Sequence, residues 1–214
     1  MEFRFVLTRC GDDLYSIAAS SPRDAQAIAA RLRQAGDWLE VVPGIDSVLV
    51  RFDAACAQDV RRQIEAALDA AVSMPAPAKS CLEIPVYYGG EHGPDLDEVC
   101  ARTGLSVKEF IELHTGRDYT VDLIGFTPGF AFVGGLDERL SVPRRKEPRQ
   151  RVEAGSVGIA DGRTGLYAMA SPGGWSVIGR TPTRLFDAMA EQPFALQAGM
   201  SVRFKAILPE DSNE

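Results

Sequence analysis

Six cationic side chains, Arg139, Arg144, Arg145, Lys146, Arg149 and Arg151, fall within thirteen residues, with Glu147 the one carboxylate among them. Guanidinium forks match the paired oxygens of carboxylates and phosphates, so a run of this kind can hold an anion. The competing reading is a solvated charged face. Pro143 and Pro148 interrupt the run and favour a loop over a helix. Residues 125–182 also contain 11 of the chain's 20 glycines. GFTPGFAFVGG (125–135) and SPGGW (171–175) set glycine and proline beside large aromatics. Two arrangements call for that pattern: the tight corners of an irregular β-barrel, and backbone laid bare for a ligand.

Individual side chains divide along the same line. Gly125, Pro128 and Gly129 are expected to make a tight bend with outward amides, Phe126 and Phe130 wedging it against a barrel. The structural alternative is a packed corner. Gly173, Gly174 and Trp175 read either as core or as a lid or a contact between subunits at a loop end. His114, just before Gly116, is either an imidazolium favoured by a helix C-terminus or a general acid/base. Arg144 and Arg180 lead as anion holders, followed by Arg149 and Arg151, with Ser156 and Thr181 as hydroxyl donors.

Other chemistry is not encoded. There is no G-x-x-x-x-G-K-[ST] phosphate loop, and AGSVG lacks the first glycine of a nucleophile elbow. With four lysines and no serine-rich glycine loop, a Ser-Ser-Lys amidase centre is unsupported. Cys10, Cys56, Cys81 and Cys100 are scattered and pair with neither histidine in a metal-ligand spacing. Free buried thiols in a reducing compartment, and no metal, are therefore expected. A net charge of −7 argues against nucleic acid. No apolar run is long enough to span a membrane, and MEFRFVLTRC lacks a secretory core, so cytoplasm is the expected location.

The elements that must position these residues fall into two groups. EFRFVLT, LYSIAA, WLEVVPG and DSVLVRF read as strands. Residues 21–36 read as a helix with Ser21 as N-cap and Ala25, Ile28, Ala29 and Leu32 inward. A second helix is expected over roughly 56–72. The result is a β-β-α-β-β-α unit over residues 1–74, a small α/β sandwich, followed by a proline-rich linker at 75–80. Beyond it come CLEIPVYYGG as a strand and helices near 94–102 and 106–115, the latter opening with the capping box Ser106 and Glu109. After Arg117 short β-like runs alternate with glycine and proline corners, which suits a barrel domain over 81–210. DAMAEQPFAL is expected to add a helical turn. The class is α+β.

The order GF-x-PGF, VPRR, R-V-x-AGSV, TGLY and SPGGW-x-x-IGRTP closely resembles the family of the 5-oxoprolinase B subunit, also described as KipI-like or allophanate hydrolase subunit 1. The resemblance covers essentially the whole chain. It implies a cyclophilin-like β-barrel after the small α+β domain. It also implies partners: the C subunit, which supplies a second barrel, and the A subunit, the set together opening 5-oxo-L-proline to L-glutamate with ATP. A histidine falls at position 114 in the family. The alternative within the resemblance is an inhibitor that binds a sensor histidine kinase and blocks autophosphorylation, with Trp175 as contact anchor. Arg163, Ala168 and Phe132-Val133 depart from the family pattern, and a guanidinium at 163 bears on which anion fits.

Overall fold

The computed structural model describes residues 5–56, 58–69 and 81–208. The chain divides into two compact units, residues 1–76 and 77–214. The linker expected at 75–80 lies outside the described residues, as does the start of the first expected strand.

In the first unit, β1 (Leu7–Arg9), β2 (Leu14–Ala18), β3 (Glu40–Pro43) and β4 (Ser47–Arg51) form an antiparallel sheet in the order β1-β2-β4-β3. Alternation buries Ile17, Val48 and Val50 on one face. Against them pack α1 (Pro22–Ala35), through Ala25, Ile28, Ala29 and Leu32, and α2 (Val60–Asp69), through Val60, Ile64, Ala67 and Leu68. The start of α1 is locally encoded: Ser21 Oγ accepts from the Asp24 amide at 3.2 Å, and Pro22 occupies the first turn. The second helix begins later than expected. Ala54–Cys56 form a separate 3-10 turn, where Asp53 accepts from the Ala55 amide at 2.9 Å.

The second unit contains β5 (Cys81–Tyr88), α3 (Leu96–Thr103), α4 (Val107–Thr115), β6 (Tyr119–Ile124), β7 (Ala131–Gly134), β8 (Arg149–Val152), β9 (Ser156–Ala160), β10 (Arg163–Leu166), β11 (Ser171–Gly173), β12 (Ser176–Arg180) and β13 (Ser201–Ala206). Seven of these strands close into a barrel in the cyclic order β10-β7-β6-β13-β5-β12-β9. The β5–β13 pair is parallel, and the other pairs are antiparallel. Ile84, Val86, Val121, Val133, Val157, Ile159, Ile178, Val202 and Phe204 fill the core with Leu96 and Val99 of α3 and Phe110 of α4. The α4 capping box forms as read from the sequence. The fold is α+β with a closed barrel.

Three expectations need correction. The arginine run does not stay a loop, because Arg149–Val152 pairs with β11 as a short ribbon. DAMAEQPFAL forms no helix. Phe186 and Phe194 instead face each other across an isolated bridge, their rings 5.0 Å apart, and the Asp187 amide bonds to Pro193 O at 2.8 Å. The thiols are not uniformly buried: Cys100 is, but Cys10 and Cys81 are exposed.

Candidate functional site

Carboxylates, some remote in sequence and some two residues away, neutralise most of the arginine run. Asp95, at the head of α3 and 3% exposed, receives Arg149 through both terminal nitrogens at 2.6 and 2.7 Å. It also receives Arg145 Nη1 at 2.7 Å and the Val177 amide at 2.6 Å. A buried carboxylate with that many donors is a structural tie joining α3, β8 and β12. Arg149 is committed to it, and hydrogen bonding to Asp95 makes its guanidinium still harder to deprotonate. Arg144 pairs with Asp161 at 3.0 Å and lies 6.0 Å over the Trp175 ring. Arg151 pairs with Glu153 at 2.7 Å, and Arg139 with Asp137 at 2.9 Å. Arg163 faces Asp122 at 3.5 Å. Arg144, Arg149 and Arg151 are therefore not an open anion cradle.

The glycine-proline corners also turn inward. The amides of Gly125, Thr127 and Phe130 are bonded within the turn, to Phe130 O, Gly125 O and Thr127 O, rather than pointing outward. Gly129 adopts φ +76°, and a Cβ there would come within 2.7 Å of the Phe194 ring. Phe130 is buried among Phe132, Tyr167 and Trp175, with ring centroids 4.7, 4.8 and 5.6 Å away. Gly173 lies so close to the Tyr167 hydroxyl that no Cβ fits, and Gly174 O accepts from the Arg145 amide at 2.8 Å. Trp175, only 6% exposed, is a core residue and not an exposed anchor. Pro128 is exposed at the tip of the turn. Phe126 stands out: it is 67% exposed and holds φ +73°, a region costly for a bulky side chain.

His114 is fully buried, with Phe110, Tyr119 and Phe204 around its ring. Its proton can be assigned from its partners. Thr164 Oγ1 donates to Gly158 O at 3.2 Å, so it accepts from His114 Nε2–H, also at 3.2 Å. Nδ1 is then the acceptor for the Tyr88 hydroxyl at 2.7 Å. Burial pushes its pKa down to about 3, so the ring is neutral near pH 7. Neither expected role fits this position: the ring is not a cation at a helix end, and no solvent reaches it as a general acid/base.

Arg180 is different. It ends β12, is exposed, and among the described residues gives one hydrogen bond, from Nε to Ala154 O at 3.0 Å, with no carboxylate ion pair. The Glu153 carboxylate feels its charge but is bonded to Arg151. Arg180 lines a cleft of about 510 Å³ together with Tyr87, His92, Gly155, Thr181 and Arg184. Thr181 Oγ1 accepts from the Thr183 amide at 3.1 Å, which leaves its proton for another acceptor. Ser156 is buried opposite Arg180 in the β9–β12 ladder and does not line the cleft. The structure thus brings Arg180 and Thr181 together and separates them from His114 and from the aromatic corner residues.

Sequence reasoning missed Tyr87, His92, Arg184 and Asp95. His92 carried a usable signal: one of two histidines, in the glycine-rich GGEHG turn. Asp95 carried none, because its partners lie 50 to 82 positions away.

The sequence matches the family described as carboxyltransferase domain, subdomain C and D, over residues 4–196. It is 40% identical over 190 residues to a protein of Escherichia coli O157:H7 named as the B subunit of 5-oxoprolinase, covering 88% of this chain and 87% of that one. A Bacillus subtilis (strain 168) protein of the same name is 39% identical over 186 residues, covering 81% and 78%. Among solved structures, TTHA0988 superposes with a TM-score of 0.78 at 32% identity over 91% of this chain. The match spans 39% of that longer chain.

Proposed function

The chain belongs to the carboxyltransferase-domain family, subdomains C and D, with relatives named as the B subunit of 5-oxoprolinase, and we propose that it is that subunit of a cytoplasmic, ATP-dependent 5-oxoprolinase. The observation that carries this reading is the identity to proteins of that name over most of both chains. In the reaction, the lactam carbonyl oxygen takes the γ-phosphoryl group of ATP and ADP leaves. Water then adds to the activated carbon, the ring C–N bond breaks, and phosphate departs, giving glutamate. Charge accumulates on phosphoryl and carbonyl oxygens throughout, and preorganised donors lower that barrier most. This chain's contribution is Arg180, which forms no carboxylate ion pair among the described residues, with the Thr181 hydroxyl beside it.

Phe126 supports the reading as part of an assembly. An aromatic side chain held exposed in a costly conformation suits an anchor for a partner protein, here the barrel-bearing C subunit, with the A subunit completing the enzyme. Copurification with both sister subunits tests the assignment. ATP-dependent glutamate release is expected from the full set and not when this chain is omitted; undiminished release without it ends the assignment.

A further inference from the structure

We infer that the cleft beside Arg180 is a site for a purine nucleoside polyphosphate, its ring on the Tyr87–His92 pair and its phosphates on Arg180, Arg184 and the Thr181 hydroxyl. This rests on the ATP-dependent reading above and adds which wall of which subunit meets the nucleotide. At about 510 Å³ the cleft lies in the range of about 300–1,000 Å³ that suits drug-sized ligands. A five-membered lactam would leave most of it to water.

The lining of the cleft offers two kinds of chemistry side by side. The Tyr87 and His92 rings stack at 5.0 Å and 30°, an aromatic wall suited to a planar base. That wall is held rigidly. His92 and Gly93 bond back to Gly89 O at 3.1 and 2.8 Å, and Gly93 sits so close to Ile178 O that no side chain fits. Two residues on, the Asp95 amide bonds to Val177 O at 3.0 Å, so the carboxylate tie of Asp95 also fixes the turn that presents His92. Beside that wall stand two guanidiniums, Arg180 being the register partner of Tyr87 across the β5–β12 ladder. Arg184 shares its charge with Asp187 at 3.0 Å, while Arg180 has no such partner among the described residues. One small carboxylate would engage a single fork, whereas a polyphosphate has oxygens for both. The carboxylate of Glu91 lies 3.9 Å from His92 Nε2 and does not line the cleft.

Calorimetric titration of the full chain with adenosine triphosphate, inorganic triphosphate and adenosine tests the inference. Adenosine triphosphate is expected to bind tightest, with triphosphate weaker by about tenfold for want of stacking. Arg180→Ala should weaken both anions alike. His92→Ala should weaken the nucleotide and leave triphosphate unchanged. Arg184 is 72% exposed in its side chain, so Arg184→Ala provides a variant that keeps the core and still loses nucleotide affinity. No binding of adenosine triphosphate at millimolar concentration, or binding indifferent to both arginine variants, overturns the inference. The two readings fail separately. A reconstituted complex that turns over 5-oxoproline while this chain binds no nucleotide removes the site and keeps the assignment. A chain that binds in the expected order within an inert complex does the reverse.

Discussion

At 0% exposure the His114 imidazole has the hydroxyls of Tyr88 and Thr164 as its polar company, and burial holds its pKa near 3 against an ordinary value of 6.5. Between those values the unfolded chain binds a proton that the folded chain does not, so stability rises with pH across the window. The contribution is complete above about pH 6.5 and is lost as pH falls towards 3; its size is several kcal/mol at most. Urea unfolding from pH 7 to 4 is expected to show a steeper loss in the wild type than in His114→Gln, and equal slopes would contradict the assignment of a neutral ring. Asp95 is the opposite case, a buried charge with more than one cationic donor. Asp95→Ala leaves Arg145 and Arg149 without their acceptor and should cost about 3 kcal/mol, the low end for breaking a buried pair, since both guanidiniums keep some contact with water. An unchanged urea midpoint would contradict that.

Elements with local causes were legible in the sequence, and those with remote causes were not. Ser21 over α1 and Ser106 with Glu109 over α4 cap their helices through bonds three residues apart, a distance that sequence reading spans. The arginine run is a different case. Asp95 and Asp161, the partners of Arg144, Arg145 and Arg149, are remote, and Arg149 reaches 54 positions for its carboxylate, so the run read as more open than it is. Asp137 and Glu153, two residues from Arg139 and Arg151, were within reach of sequence reading. DAMAEQPFAL, residues 187–196, misled for a similar reason, since ring contact between Phe186 and Phe194 outweighs local helix preference there. The GFTPGF turn was legible as a tight corner, but not as one that spends its own amides. Its exposed member yields a prediction at this scale. In Phe126→Asn, relief of the positive-φ strain offsets the lost edge contact with Phe130, keeping stability within about 1 kcal/mol of wild type. Association with the second barrel protein should fall about tenfold or more, as for a hot-spot aromatic. Unchanged association in pull-down or ultracentrifugation would remove Phe126 from the interface.

Over the whole molecule, each of the two units has its own core, and the pocket residues Tyr87, His92, Arg180, Thr181 and Arg184 all belong to the barrel unit. Family membership was visible because several glycine-proline motifs occur in one order. Arg180 and Arg144 both led as anion holders from the sequence. That Arg180 and not Arg144 is without a carboxylate ion pair among the described residues was not legible, because that depends on where the carboxylates end up in the fold. The central claim is that this chain lends one guanidinium, free of a carboxylate ion pair among the described residues, to lactam opening by a multi-subunit enzyme. The most direct measurement is ATP-dependent glutamate release by the reconstituted complex carrying Arg180→Ala, with assembly checked by gel filtration. A fall of about 100-fold with the complex intact is the predicted result, in keeping with removal of one preorganised charge-stabilising donor. Wild-type turnover from the intact variant complex would contradict the account.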